Sequence, residues 1–147
     1  MKAILVDDVE NSRIALRSDL EDYCKEVTIV GEASGVVDGV KLIHKVKPDL
    51  VFLDIEMPYG TGFDLLEQIE HITFETVFVT AYDNYAIQAL NMSAAYYLLK
   101  PIDIDELVSA VDKIKAERAD NNDSFHVQVL LDNIKEENNR PKKIMLP

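Results

Sequence analysis

From residue 3 to about residue 118, short apolar runs alternate with segments of helical period, and few folds accept that pattern. The runs lie near 3 to 6, 27 to 31, 50 to 53, 76 to 79 and 96 to 99. Repeated βα units of this kind predict an α/β fold: a doubly wound, five-stranded parallel sheet with helices on both faces. Leu50-Val51-Phe52-Leu53 is apolar throughout, as a strand covered on both sides requires, whereas Val27-Thr28-Ile29-Val30 alternates and belongs toward an edge.

The intervening helices differ in the apolar surface they offer. The first, from about Asn11 to Tyr23, sets Leu16, Leu20, Tyr23 and Cys24 on one face and Arg13, Arg17, Asp19 and Glu21 on the other. The second turns Val36, Val40 and Ile43 inward and must stop before Pro48. A glycine turn, Gly60-Thr61-Gly62, opens the third, with Leu65, Leu66 and Ile69 inward. The fourth, from about Asn84 to Met92, offers chiefly Ala86, Ile87 and Leu90, and this thin face makes it the most weakly held helix. Asp103 is placed to cap the fifth, with Glu106 completing a capping box, and Leu107, Val111 and Ile114 face the core.

Asp120-Asn121-Asn122-Asp123 interrupts the pattern, and beyond it Val127, Leu130, Leu131 and Ile134 recur at the spacing of an amphipathic helix. The expected organisation is a domain over 1–118, a linker over 119–141 and, over 142–147, a basic turn and apolar run that reads as the start of a further domain. Charge divides at the same place. Through Glu117 there are 10 basic and 22 acidic residues, and from Arg118 onward 5 of each, within a net charge of -12. Such an acidic body is unsuited to neutralising nucleic-acid phosphates. A single cysteine, Cys24, excludes an internal disulfide and thiolate-cluster zinc sites. No run approaches the ~18 apolar residues of a membrane span, so no membrane association and a cytoplasmic setting are expected.

Four of the five runs are followed at once by chemistry-bearing residues: Asp7-Asp8, Asp54, Thr80 and Lys100-Pro101. Ligands of open α/β sheets sit beyond the carboxyl ends of the strands, so these groups should converge. Each alone has an ordinary explanation. Aspartates cap helices and form turns, Lys100 suits a solvated surface, and Pro101 suits a helix start. Together, three carboxylates, a hydroxyl and an ammonium suit a hard cation beside a phosphoryl group. Mg²⁺ prefers a few carboxylates, waters and phosphate oxygens, with Asp8 and Asp54 as direct ligands and Asp7 bound directly or through water. Like charges at 4 Å repel by roughly 4 kcal/mol at an effective dielectric of 20, so the corner needs positive partners: Lys100 and the metal. Asp54 is then the nucleophile that carries phosphate as an aspartyl-phosphate, and Thr80 donates to a phosphoryl oxygen. His44, His71 and His126 lack metal-ligand spacing and read as surface residues.

The stretches Ile4-Leu5-Val6-Asp7-Asp8, Leu53-Asp54-Ile55-Glu56-Met57-Pro58, Val79-Thr80-Ala81 and Tyr97-Leu98-Leu99-Lys100-Pro101 resemble, in this order, the receiver domain of bacterial two-component response regulators. The wording from Phe78 to Asp83 and from Ala95 to Ile102 resembles regulators of the LytTR type. The resemblance implies a flavodoxin-like sheet, phosphorylation of Asp54 by a sensor histidine kinase, and Mg²⁺ held by Asp7, Asp8, Asp54 and the backbone carbonyl of Glu56. It also implies a cis peptide before Pro101 and a switch pair, Thr80 and Tyr97, whose ring turns inward. The implied protein is a phosphorylation switch, not a turnover enzyme. It forms a homodimer through the face of the fourth helix, fifth strand and fifth helix. It reaches DNA only through a C-terminal LytTR-type domain, begun at 142–147.

Ser93-Ala94-Ala95 departs from the glycine often found before the last strand. Glu56 and Tyr82, two residues beyond Asp54 and Thr80, are expected to alter phosphate lifetime. Two other readings stay open from residues alone. A Mg²⁺-dependent phosphohydrolase would pass through the same aspartyl-phosphate, with Glu56 where such enzymes carry a second acid, although no cap insertion is evident. A flavin-binding domain would need a phosphate-cradling loop where acidic Asp7-Asp8 stands.

Overall fold

A computed structural model of the chain describes residues 1–91 and 96–121. Its order is β1 (Lys2–Val6), α1 (Glu10–Tyr23), β2 (Thr28–Ala33), α2 (Val36–Val46), β3 (Leu50–Leu53), β4 (Glu56–Met57), β5 (Gly60–Thr61), α3 (Gly62–Glu67), β6 (Glu75–Thr80), α4 (Ala86–Asn91), β7 (Tyr96–Leu99) and α5 (Ile104–Asn121). Five of these strands form one sheet in the order β2-β1-β3-β6-β7, every neighbouring pair parallel. The alternating run is the β2 edge, and the wholly apolar β3 lies at the centre.

Strand periodicity sorts the core into two layers. Ala3 and Leu5 of β1 join Phe52, Val77 and Leu98 under α1 and α5, whose Leu16, Leu20, Leu107, Val111 and Ile114 fill that side. Ile4 and Val6 point the other way, joining Val51, Leu53 and Phe78 under α2, α3 and α4. This is the doubly wound sheet expected of the βα alternation.

The differences from expectation are local. Helix α1 ends at Tyr23 and leaves that side chain 56% exposed, while Cys24, one residue on, is buried in its place. In α4 Ala89 is buried, and Ile87, expected inward, is 75% exposed, because a six-residue helix has too few turns to define its phase from sequence; the Leu90 side chain, also expected inward, lies outside the described residues. The capping box lies at α3: Thr61 Oγ1 accepts from the Asp64 N–H at 3.1 Å and Asp64 Oδ2 from the Thr61 N–H at 2.8 Å. At α5, Asp103 Oδ1 accepts from the N–H groups of Asp105 and Glu106, and no return bond from the Glu106 side chain is present. Strand β2 starts one residue later than expected and runs to Ala33, and α5 passes residue 118 to reach Asn121. Met92, Ser93-Ala94-Ala95, His126, the linker helix beyond Asn121 and the segment 142–147 lie outside the described residues.

Candidate functional site

Parallel register brings the strand ends level. Val6 pairs with Leu53, Leu53 with Phe78, and Thr80 with Leu99. Hydrogen bonding continues one residue past the strands, the Asp7 N–H donating to the Ala33 carbonyl at 3.0 Å, Asp54 to Val6 at 2.9 Å and Lys100 to Thr80 at 2.8 Å. The functional side chains therefore stand on the last hydrogen-bonded positions of a rigid sheet. Asp54 is held further by Gly62, whose N–H donates to the Ile55 carbonyl at 2.8 Å. A Cβ on Gly62 would lie 2.5 Å from the Asp54 carbonyl oxygen, so only glycine fits beside this turn.

One oxygen from each of Asp7, Asp8 and Asp54 lies within 4.8 Å of the others. Two oxygens on opposite sides of a Mg²⁺ stand about 4 Å apart, so this set spans little more than one coordination sphere. Lys100 Nζ donates to Asp7 Oδ2 at 2.8 Å, to Asp54 Oδ2 at 3.3 Å and to Ser12 Oγ at 3.3 Å. Two of the three carboxylates thus share one ammonium and Asp8 stands beside them, and the residues fit a divalent cation. Asp7 also accepts from the Val9 N–H at 2.9 Å, and Asp54 from the Ile55 N–H at 2.7 Å.

Burial pushes the Asp54 carboxyl up to about 6, Lys100 pulling it down and the Asp7 charge adding to the rise. Burial works against the Lys100 ammonium, but its bond to Asp7 and the neighbouring charges hold its pKa above the ordinary value. Beside Asp7, Asp54 and Lys100 a cleft of about 400 Å³ opens between α1 and Pro101-Ile102. The Lys100-Pro101 bond is cis.

Thr80 and Tyr97 meet at one residue, Tyr82. Thr80, fully buried, accepts from the Tyr82 N–H at 3.4 Å, and the Tyr97 hydroxyl donates to the Tyr82 carbonyl. The Tyr97 ring is already inside, 1% exposed and 6.4 Å from Phe78.

A model of the response regulator receiver domain matches residues 3–112. The chain belongs to this receiver family. The receiver domain is 39% identical over 135 residues to an uncharacterised response regulatory protein of Vibrio cholerae, covering 91% of this chain and 56% of that one. It is 40% identical over 121 residues to the transcriptional regulatory protein BtsR of Escherichia coli, covering 81% and 50%. It is 39% identical over 120 residues to the sensory transduction protein LytT of Bacillus anthracis, covering 80% and 48%. The chain thus spans about half the length of these curated relatives.

Among solved structures, the response regulatory domain of mrkE from Klebsiella pneumoniae superposes with a TM-score of 0.72 at 28% identity, covering 79% of this chain and 96% of that one. The response regulator TrrA of Thermotoga maritima, in complex with Mg(2+)-BeF, superposes with a TM-score of 0.68 at 29% identity, covering 77% and 97%.

The receiver domain brings Asp7, Asp8, Asp54 and Lys100 into one corner, with Thr80 on the neighbouring strand end. His44 and His71 are exposed and stand apart from the acidic set. Three participants were not legible as such. Ser12 joins Lys100, and Arg13 donates to the Asp7 carbonyl at 2.5 Å while pairing with Glu32 at 2.9 Å. Tyr85 donates its hydroxyl to Glu56 Oε1. Only proximity in the fold reveals them, since a serine or arginine on a helix face and a tyrosine in a turn carry no signal of their own. Among the described residues no helix is long and apolar enough to cross a membrane.

Proposed function

We propose that this receiver domain is a phosphorylation switch in which Asp54 accepts a phosphoryl group from a phosphohistidine of a sensor kinase. The observation that carries the reading is the convergence of three carboxylates within 4.8 Å of one another, two of them paired with Lys100. An Asp54 carboxylate oxygen attacks phosphorus in line. The N–P bond of the donor breaks, its electron pair returning to the imidazole nitrogen. Asp7, Asp8, Asp54 and the Glu56 carbonyl would hold Mg²⁺, which when bound neutralises charge on the phosphoryl oxygens. Lys100, now donating to Asp7 and Asp54, turns to a phosphoryl oxygen, an ammonium being free to exchange one oxyanion for another.

The new group brings about two negative charges and acceptor oxygens. Thr80 answers by turning its hydroxyl to donate to one of them, and the turn carries its oxygen away from the Tyr82 N–H. Since Tyr97 holds the carbonyl of the same residue, the change passes through Tyr82 to the edge strand and to α4. Moving such an equilibrium from 1:99 to 99:1 requires about 5.5 kcal/mol of preference for the active state. In the active state the face of α4, β7 and α5 pairs with a second copy. The output is transcriptional, through a LytTR-type DNA-binding domain beyond this chain, in keeping with the names of BtsR and LytT and the half-length span. The protein switches and does not turn over substrate.

Incubation with Mg²⁺ and acetyl phosphate, followed by intact-mass measurement, tests this. The wild type gains one phosphate and Asp54→Asn gains none. Sustained hydrolysis of phosphate monoesters would instead favour the phosphohydrolase reading.

A further inference from the structure

Strands β3 and β6 are sheet neighbours, so the loops that leave their carboxyl ends lie side by side at the outer edge of the Asp54 site. The Tyr85 hydroxyl, from the segment entering α4, spans them by donating to Glu56 Oε1, a residue 29 positions away and two beyond Asp54. The Tyr85 ring is not free to swing. It lies 6.0 Å from Phe63 and 6.3 Å, edge-on, from Tyr82. Phe63 lies 5.1 Å from Phe78, Phe78 6.4 Å from Tyr97, and the Tyr97 hydroxyl returns to the Tyr82 carbonyl. Five aromatic side chains thus close a circuit from the loop beside Asp54, through the core, to the edge strand and back. On α4 itself Ala89 is buried, Ala86 packs against the core and Ile87 lies in solvent.

We propose that Tyr85 is a positioning residue: by holding the Glu56 carboxylate it latches the loop after β3 to the start of α4 and so sets the lifetime of phosphate on Asp54. This rests on the phosphoacceptor reading of Asp54 and names a determinant of the reverse step. In that step a water oxygen bonds to phosphorus, the P–Oδ bond breaks with its electron pair returning to the Asp54 carboxylate, and the water proton leaves on inorganic phosphate or solvent. Releasing the latch acts in one direction through two routes. The loop edge loosens and admits water, and the Glu56 oxygen that Tyr85 releases can accept a hydrogen bond from it.

The test is the decay of acetyl-phosphate-loaded protein, followed by intact mass, in wild type, Tyr85→Phe, Glu56→Ala, Glu56→Gln and the double variants. Tyr85→Phe keeps the ring and removes the hydroxyl. It should shorten the half-life about three- to tenfold, the rate equivalent of one hydrogen bond, while the thermal midpoint falls by no more than about 6 °C. The effect should vanish when Glu56 is already alanine and persist when it is glutamine, which still accepts from Tyr85. An unchanged half-life in Tyr85→Phe, or the same change in the Glu56→Ala background, overturns the latch while leaving the phosphoacceptor reading intact. No phosphate on the wild type overturns both.

Discussion

Helices α4 and α5 flank the same edge strand and are held by different means. Helix α5 runs 18 residues and buries Leu107, Ala110, Val111 and Ile114 completely. At roughly 1.5–3 kcal/mol for each large apolar side chain buried, such a helix is fixed by packing. Helix α4 has six residues, and Ile87 on it is 75% exposed. Its entry is held by hydrogen bonds, Thr80 and Tyr97 on the Tyr82 backbone and Tyr85 on Glu56, together with the ring contacts of Tyr85. A charge change at Asp54 competes with hydrogen bonds of about 1 kcal/mol on the α4 side, and with a packed layer on the α5 side. A local chemical event is therefore expected to move α4 and leave α5 in place.

The sharpest way to break this comparison is to truncate one apolar side chain in each helix. Leu107→Ala should cost about 2–5 kcal/mol in urea unfolding, and Ile87→Ala no more than about 0.5 kcal/mol. Equal losses would show that α4 is as firmly packed as α5.

Next comes the acidic corner itself, with divalent ions chelated. Asp54 has its carboxyl raised from 3.8 to about 6 by burial, so its ionisation opposes folding. Stability is lost as pH rises from about 4 to about 6 and stays lost above. Asp54→Asn should therefore match the wild type below pH 4 and exceed it by about 1–2 kcal/mol above pH 6, solvent and the Lys100 ammonium screening part of the effect. A variant less stable at pH 7.5 would contradict the strained-corner account.

Gly62→Ala drives a Cβ against the Asp54 carbonyl and should cost about 1–3 kcal/mol, together with slower phosphate uptake. Smallest is a control remote from both helices. Lys47 caps α2 in the left-handed region at φ 47°, and Lys47→Gly should stabilise by about 1 kcal/mol without changing phosphate chemistry.

The parts of this fold visible in the sequence are those whose signal is local. Runs such as Leu50 to Leu53 announce buried strands, and an acid or a lysine directly after such a run is placed by chain geometry alone. The β4–β5 hairpin was invisible because two-residue strands have no period to detect. Tyr23 was misplaced because the helical phase loses its meaning in a last turn that ends the packing. Ile87, expected inward, lies in solvent while the smaller Ala89 fits close against the core, a phase that so short a helix does not display in its sequence. Ser12, Arg13 and Tyr85 act through partners 19 to 88 residues away, and no pattern within one segment encodes that distance.

The most direct measurement is amide hydrogen exchange along the chain with Mg²⁺, before and after loading Asp54 with phosphate, and with Asp54→Asn as the control. The account predicts altered protection from Tyr82 through α4 and in β7, little change in α5 from Leu107 to Ile114, and none in the control. A change spread evenly over both helices, one confined to α5, or one that persists in Asp54→Asn would contradict it.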